Sequence, residues 1–425
     1  MLFNNKKRCD IILIETVCFF AHKKFIIYTA FFEKGVVESM EIQKLLDLCV
    51  NKTAENLKKM PFGLREYPSA SNGNYFDVEI EKTKSFDHIM NWTASFFSGM
   101  AILSFEKTRD LSFLKWLNKQ YCLYYSKVFD NPCENMHDMG FLYSLYSVGM
   151  YRLTGDLNHL NTAIKAADEL AKRFVPEGGY IRAWGRMDDK VGDYISAEDA
   201  ENHFFTQSKG LAIIDCLMNL PLLFFASEQT GNNFYKSIAV KHADTVLKYF
   251  IRDDYSVYHS FRFDECGNPA GGCNYCGYSD ESFWARGTTW AIYGFAIAYG
   301  YTGKERYLDA AVRLGQKFIE NLDEDGIPAW DFRMPDDEPK NADSSAAAIA
   351  VCGFMQILKY KDVPQLRKYV DIILNTLSDK KYTNFDVYCP GLLKNQNGQN
   401  TYTIYGDYFY MEALYRKAGG EILFW

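Results

Sequence analysis

The chain has 425 residues, enough for two or three average domains or for one large helical or barrel domain. With 48% hydrophobic and 24% charged residues it has the composition of a folded globule, which excludes a disordered, collagen-like or coiled-coil chain. The net charge of −7, from 47 Lys and Arg against 54 Asp and Glu with no block of five like charges, excludes a general nucleic-acid surface.

Residues 1–39 open with Lys6, Lys7 and Arg8 ahead of an apolar run that Asp10 and Glu15 interrupt. The run is too broken to span a bilayer, and His22-Lys23-Lys24 does not supply the small-residue site at which a secretory signal is cut. These residues are expected to be an N-terminal extension added by a misassigned start, with Met40 as the true start and residues 40–425 as the folded domain. The 11 cysteines, scattered and odd in number, suit free thiols in a reducing, cytoplasmic setting.

From Met40 onward the periodicity is helical. Ile42, Leu45, Leu46, Cys49, Val50, Thr53 and Leu57 follow the spacing of one buried helix face. So do Ala163, Ala167, Leu170, Ala171 and Phe174, then Ala243, Val246, Leu247 and Phe250, then Tyr307, Ala311, Leu314 and Phe318. Only 11 prolines interrupt the whole chain, and long alternating strand patterns are absent.

A unit recurs in which an apolar helix ends in Thr-Gly and a second helix follows after a few polar residues. It appears at 149–167, 225–243 and 299–315, with a version lacking glycine at 104–117. Glycine there supplies the left-handed residue that closes the first helix. The threonines, Thr108, Thr154, Thr230 and Thr302, are 46, 76 and 72 residues apart, a spacing too irregular for an open solenoid. Hairpins of this kind bury their apolar faces by closing side by side, so the expected fold is all-α, a single (α/α)6 barrel or six-hairpin toroid. Its long connections, 176–202, 252–283 and 324–343, would gather at one mouth.

Two carboxylates stand out against their surroundings. Asp215 lies in the apolar run 210–226, read as one helix, with Ile213, Ile214, Leu217 and Met218 around it. Asp138 follows His137 and precedes an aromatic helix, where it serves either as an N-cap or as a second buried acid. Burial raises the pKa of a carboxyl toward the range of a general acid, although a structural hydrogen bond is the alternative for Asp215. Further on, Trp284, Arg286 and Trp290 lie within seven residues, suited either to a carboxylate-bearing sugar or to a plain core pair with a surface arginine. Asp331 and Asp343 read as caps. Cys273 and Cys276 form a lone Cys-x-x-Cys with no partner pair, so neither a metal nor another cofactor is expected.

Six segments in order, 91–100, His137–Phe141, 213–231, 284–296, 343–350 and 405–414, resemble the unsaturated glucuronyl hydrolases of glycoside hydrolase family 88. The resemblance implies an enzyme that removes a 4,5-unsaturated uronic acid from the non-reducing end of glycosaminoglycan oligosaccharides by hydrating the vinyl ether. It makes Asp215 the acid and base and Asp138 the second essential aspartate. It places Trp92, His137, Trp184, His259, Gly272, Asn274, Trp284, Arg286 and Trp290 around the sugar, with no metal, no nucleic acid and no membrane partner and with a monomer or homodimer as the working form. One departure is Tyr275-Cys276, where relatives carry His-Gln. Alternatives are an unsaturated rhamnogalacturonyl hydrolase, an α/α-barrel epimerase, which lacks its paired histidines here, and a sugar-binding barrel, which has no need of an aspartate amid Ile and Leu.

Overall fold

The computed structural model describes residues 41–59, 92–188, 208–394 and 402–425. The chain divides into a unit Met1–Asp47 and a unit Leu48–Trp425. Residues 41–47, the described part of the first unit, are helical; the expectation for residues 1–39 lies outside the described residues. The second unit contains helices α1 (residues 48–59), α2 (Ala94–Thr108), α3 (Leu111–Lys119), α4 (Tyr121–Phe129), α5 (Met139–Tyr143), α6 (Gly149–Thr154) and α7 (Leu157–Ala171). There follow α8 (Leu220–Thr230), α9 (Asn233–Tyr249), α10 (Ala285–Thr302), α11 (Glu305–Glu320), α12 (Ser344–Leu358), α13 (Pro364–Leu377) and α14 (Ile404–Lys417). A π-helical turn, Ser144–Val148, joins α5 to α6. No helix among the described residues is long and apolar enough to cross a membrane.

The recurring threonines all do the same thing. The hydroxyls of Thr108, Thr154, Thr230 and Thr302 donate to the carbonyl four residues back, at 2.6–2.7 Å. Each also accepts the backbone N–H two residues ahead, at 3.1–3.3 Å. The next residue is left-handed: Gly155 at φ 72°, Gly231 at 69°, Gly303 at 64° and, in the version without glycine, Arg109 at 59°. Asp110, Asp156 and Asn232 then cap the following helix. Each α-helix is thereby stopped, reversed and restarted within about three residues, which is what an αα-hairpin requires.

The helices sort by pattern into two layers. In α10 every residue from Ala285 to Ala298 is buried except Arg286. The stretches Ala94–Ser104, Leu220–Ala226, Ser344–Phe354 and Ile404–Leu414 are buried without interruption. Helices apolar on all sides must be surrounded, and these pack in a closed ring: α2 on α5 and its π turn, α5 on α8, α8 on α10, α10 on α12, α12 on α14, and α14 back on α2. The amphipathic helices lie outside the ring, α3 on α2, α7 on both α5 and α8, α9 on α8, α11 on α10 and α13 on α12. In α11 the buried stripe runs through the expected Tyr307, Ala311, Leu314 and Phe318. This is the toroid that the repeats imply, and nine tyrosines among its largest fully buried side chains fill the seams.

Two segments differ from the helical reading. The run 210–226 is not one helix: Leu211–Ile213 is strand β3, Ile214–Met218 a 3-10 turn, and α8 starts only at Leu220 with Pro221 in its first turn. Phe174, expected on a helix face, opens the short β1 (Phe174–Val175), paired with β2 (Tyr180–Ile181). The connection 252–283 folds as β4 (Ser260–Phe263) and β5 (Pro269–Cys273), which with β3 form a three-stranded antiparallel sheet of order β3-β4-β5. Short apolar runs rich in isoleucine are ambiguous between helix and strand, and here the partner strand decides.

Candidate active site

The sheet delivers the first two groups. Ile213 pairs with Ser260, and the N–H of Ile214 donates to the carbonyl of His259 at 2.9 Å. Asp215 therefore stands two residues past the last paired residue of β3, and the residue before β4 is His259. His259 Nε2 lies 3.9 Å from Asp215 Oδ2. Asp138 comes from the opposite side, at the head of α5, where the N–H of His137 donates to the Ala183 carbonyl at 3.0 Å. It occupies the N-cap position without capping: its side chain accepts no helix N–H, and its Oδ1 is 3.5 Å from His137 Nε2.

Both carboxyls are pushed up to about 7. For Asp215 the main cause is burial, opposed by the charge of Arg286 and by the nearby indole N–H of Trp290, which makes no conventional hydrogen bond. For Asp138 burial is again the largest cause and the Asp215 charge adds to it, while Arg173 and the Asn219 amide pull the other way. Asp215 Oδ2 is buried with no hydrogen-bond partner. An ionised oxygen in that position is costly, so the group is poised to hold a proton and to give it up.

The imidazoles do not compete for that proton. His259 Nδ1 accepts the Tyr275 N–H at 3.0 Å, which assigns the ring proton to Nε2, facing Asp215. Burial and the Arg286 charge hold its pKa down to about 3. His137 is likewise held well below the usual range by burial and by Arg173.

Two arginines frame the carboxyls, Arg173 buried and Arg286 partly exposed. Arg286 donates to Asp343 at 2.5 Å and lies over the Trp284 ring at 4.7 Å and the Tyr405 ring at 5.3 Å. Asp343, read from sequence as a cap, does cap α12 through Ala346, but it also neutralises this cation. Asp331, read the same way, caps no helix; it gathers the N–H groups of Tyr278, Phe283 and Arg333 and so shapes the loop before α10. Arg173 contacts five main-chain carbonyls, those of Asn135, Arg182, Ala183, Trp184 and Gly185. It pins the segment that carries Trp184 against the one that carries His137.

The tryptophans are less open than sugar-stacking walls would need. Of the four expected around the sugar, Trp290 is 0% exposed, Trp284 4% and Trp184 8%, and Trp92 is partly open, with one face stacked on Tyr405 at 5.0 Å. Trp290 forms the apolar floor under Asp215, against Trp92 and Phe141. Trp184 packs on Tyr275, and Trp284 on His259. A ring of inner helices has to be filled at its centre, and indoles fill it. Asn274 turns its loop by accepting the N–H groups of Cys276 and Gly277, and it lies beside His259. Gly272 is set against the Tyr258 ring, where a Cβ would come within 2.3 Å, so packing explains the glycine. The Cys276 thiol is close enough to feel both Asp215 and Arg286.

Sequence reasoning passed over Asn219, Arg173 and Tyr405. Asn219 carried a signal, being a polar residue four positions after Asp215 in the same apolar run. Arg173 carried one too, standing three residues after Leu170 at the end of a buried face.

The sequence model of Glycosyl Hydrolase Family 88 matches residues 72–361. An unsaturated glucuronyl hydrolase of Bacillus sp. (strain GL1) is 34% identical over 388 residues, 88% of this chain and 96% of the relative. An unsaturated chondroitin disaccharide hydrolase of Streptococcus agalactiae serotype III (strain NEM316) is 31% identical over 409 residues, 93% of this chain and 96% of the relative. Among solved structures, the Bacillus sp. GL1 enzyme superposes with a TM-score of 0.75 at 33% identity, over 88% of this chain and 96% of that one. A Streptococcus agalactiae unsaturated glucuronyl hydrolase mutant complexed with dGlcA-GalNAc6S gives 0.71 at 29% identity, over 91% and 93%. With a family model covering most of its length and relatives matched nearly end to end, the chain belongs to glycosyl hydrolase family 88.

Proposed function

We propose that the protein is an unsaturated glucuronyl hydrolase that releases 4,5-unsaturated glucuronic acid from the non-reducing end of unsaturated glycosaminoglycan oligosaccharides. The observation that carries this reading is Asp215: a carboxyl raised to about 7, with a buried unpartnered oxygen, beside a second raised carboxyl, Asp138. Protonated Asp215 gives its proton to C4 of the vinyl ether, leaving positive charge at C5 stabilised by the ring oxygen. The carboxylate so formed takes a proton from a water as that water bonds to C5, which restores the acid. The C5 hemiketal then opens, and the hemiacetal left at C1 collapses to release the remaining sugar. One raised carboxyl serves both halves, so no paired-carboxylate spacing of ordinary glycosidases is needed. Asp138 orients the sugar hydroxyls, and Arg286, held over Trp284 and Tyr405, faces the uronate. The catalytic domain is residues 40–425, working as a monomer or homodimer in the cytoplasm; the described cysteines, all free, fit a reducing compartment.

The test is to follow the ultraviolet absorbance of the conjugated double bond while the protein is incubated with unsaturated disaccharides from chondroitin, hyaluronan, heparin and pectin digests. Loss of absorbance with one or more glycosaminoglycan disaccharides is expected. Loss with the pectin disaccharide alone would move the substrate to the rhamnogalacturonan class, and no loss with any would remove the hydration reading.

A further inference from the structure

Asn219 stands between the two aspartates and is wholly buried. Its Oδ1 accepts the N–H of Phe141, the third residue of α5, at 2.7 Å. Its Nδ2 donates to the main-chain carbonyl of Asp215 at 3.3 Å, and its amide also bonds toward the Asp138 carboxyl. The N–H at the third position of a helix is the one an N-cap side chain ordinarily takes. Asp138 occupies the N-cap position of α5 and does not take it. The close approach depends on Gly140, where a Cβ would come within 2.2 Å of the Asn219 Cα.

We propose that Asn219 is a positioning residue that caps α5 from outside the helix, thereby releasing the Asp138 carboxyl for the site and fixing it relative to Asp215. An aspartate at a helix head normally spends its carboxylate on the helix. Here an amide from the neighbouring 3-10 turn does that work, and the same amide ties the backbone of the second aspartate to the first. The proposal rests on the functional reading above for its effect on turnover, but not for its effect on the carboxyls themselves.

Two variants pull in opposite directions. Asn219→Ala takes away the amide that pulls the Asp138 carboxyl down, but it also leaves the Phe141 N–H without its acceptor; Asp138, as the nearest replacement, exchanges the amide for that N–H together with the positive end of the helix, so its titration should fall on balance by about half a unit. Asn219→Asp keeps the acceptor and the size but sets a third carboxyl between the pair, which should raise at least one of them by about 1 unit. The other groups that face the pair stay in place in both variants. They are His137, Lys127, Arg173 and Cys216 around Asp138, and His259, Cys276, Arg286 and Trp290 around Asp215.

The experiment is a 13C carboxyl titration of the full chain labelled at aspartate, assigned with Asp138→Asn and Asp215→Asn, alongside pH profiles of kcat and kcat/KM on unsaturated chondroitin disaccharide. Opposite displacement of the carboxyl titrations, mirrored in the limbs of the kcat profile, is expected. Unmoved titrations in a folded variant would overturn the proposal, even if kcat fell, because a merely structural asparagine lowers activity at every pH alike. Should one variant fail to fold, the direction of displacement in the other decides. If the wild type turns over no disaccharide while the titrations move as described, the role of Asn219 stands and the assigned reaction falls.

Discussion

His259 Nε2 faces the unpartnered Asp215 Oδ2 across 3.9 Å, and it carries the ring proton because Nδ1 is taken by the Tyr275 N–H. The pair therefore consists of a neutral donor and an acid, not of two competing bases. Because the imidazole is held down to about 3, it stays neutral throughout the range in which Asp215 titrates. His259→Gln, which keeps an N–H donor, should lower kcat by about ten- to a hundredfold through altered geometry while leaving the limb of the pH profile near 7 in place. Disappearance of that limb would assign the titration to the histidine instead.

Asp215→Asn should abolish turnover yet stabilise the fold in neutral and alkaline solution. The folded carboxyl titrates at about 7, above its ordinary value of about 4 in an unfolded chain. Between those values the folded state holds a proton that the unfolded state has lost, so the contribution of this group to stability falls as pH rises through the window. Above it, the native protein carries a buried charge with one unpaired oxygen. The thermal midpoint of Asp215→Asn should thus exceed that of the wild type at pH 8, with the gain shrinking toward pH 4. A variant equally or less stable at pH 8 would contradict the burial argument.

The charge balance of the site predicts how substrate affinity depends on pH. With both aspartates protonated, Arg173 and Arg286 outweigh Asp343 by one charge; with both ionised, the balance is one negative charge. An anionic uronate binds the first state and is repelled by the second. KM should rise as pH climbs through about 7, and unsaturated uronate should bind more tightly at pH 5.5 than at 8.5 by calorimetry. Affinity flat across this range would mean that the carboxyls are not in the field of the sugar acid.

Gly140→Ala should cost about 1–3 kcal/mol of stability, because the added Cβ meets the Asn219 backbone, which no rotamer change can move. It should also lower kcat more than it changes KM, since the elements it separates carry the two aspartates. Denaturant unfolding together with steady-state kinetics reads both effects.

Arg173→Lys tests the other brace. Five carbonyls converge on the guanidinium, and an ammonium has three donors. A loss of about 1–3 kcal/mol is expected, with the Asp138 titration retained because the charge remains. Arg173→Met should in addition raise Asp138 further, as the cation that pulls it down is gone. Equal titrations in the two variants would show that Arg173 acts through packing alone.

What the sequence made legible, and what it did not, follows from the range of the interactions involved. Thr-Gly units announced the hairpins because a helix stop is local: the threonine, the left-handed residue and the next cap lie within five positions, and even Arg109 obeys the rule without glycine. The acidity of Asp215 was legible from its apolar neighbours, although its place on a strand-to-turn junction was not, since the partner strand β4 starts at Ser260. From sequence Trp290 and Trp284 fitted either a sugar site or a core pair, because sequence gives ring type but not exposure; in the crowded centre of the toroid both are buried. Likewise the cation at Arg286 was visible, but its neutralisation by Asp343, 57 residues away, was not.

The central claim is that Asp215 alone supplies and recovers the proton that hydrates the double bond. Wild type and Asp215→Asn, each shown to be folded by thermal unfolding, are compared for loss of ultraviolet absorbance on unsaturated chondroitin disaccharide. The account requires loss with the wild type, at least about a thousandfold slower loss with the variant, and retained binding of the disaccharide. Turnover by Asp215→Asn within about tenfold of the wild type would contradict it.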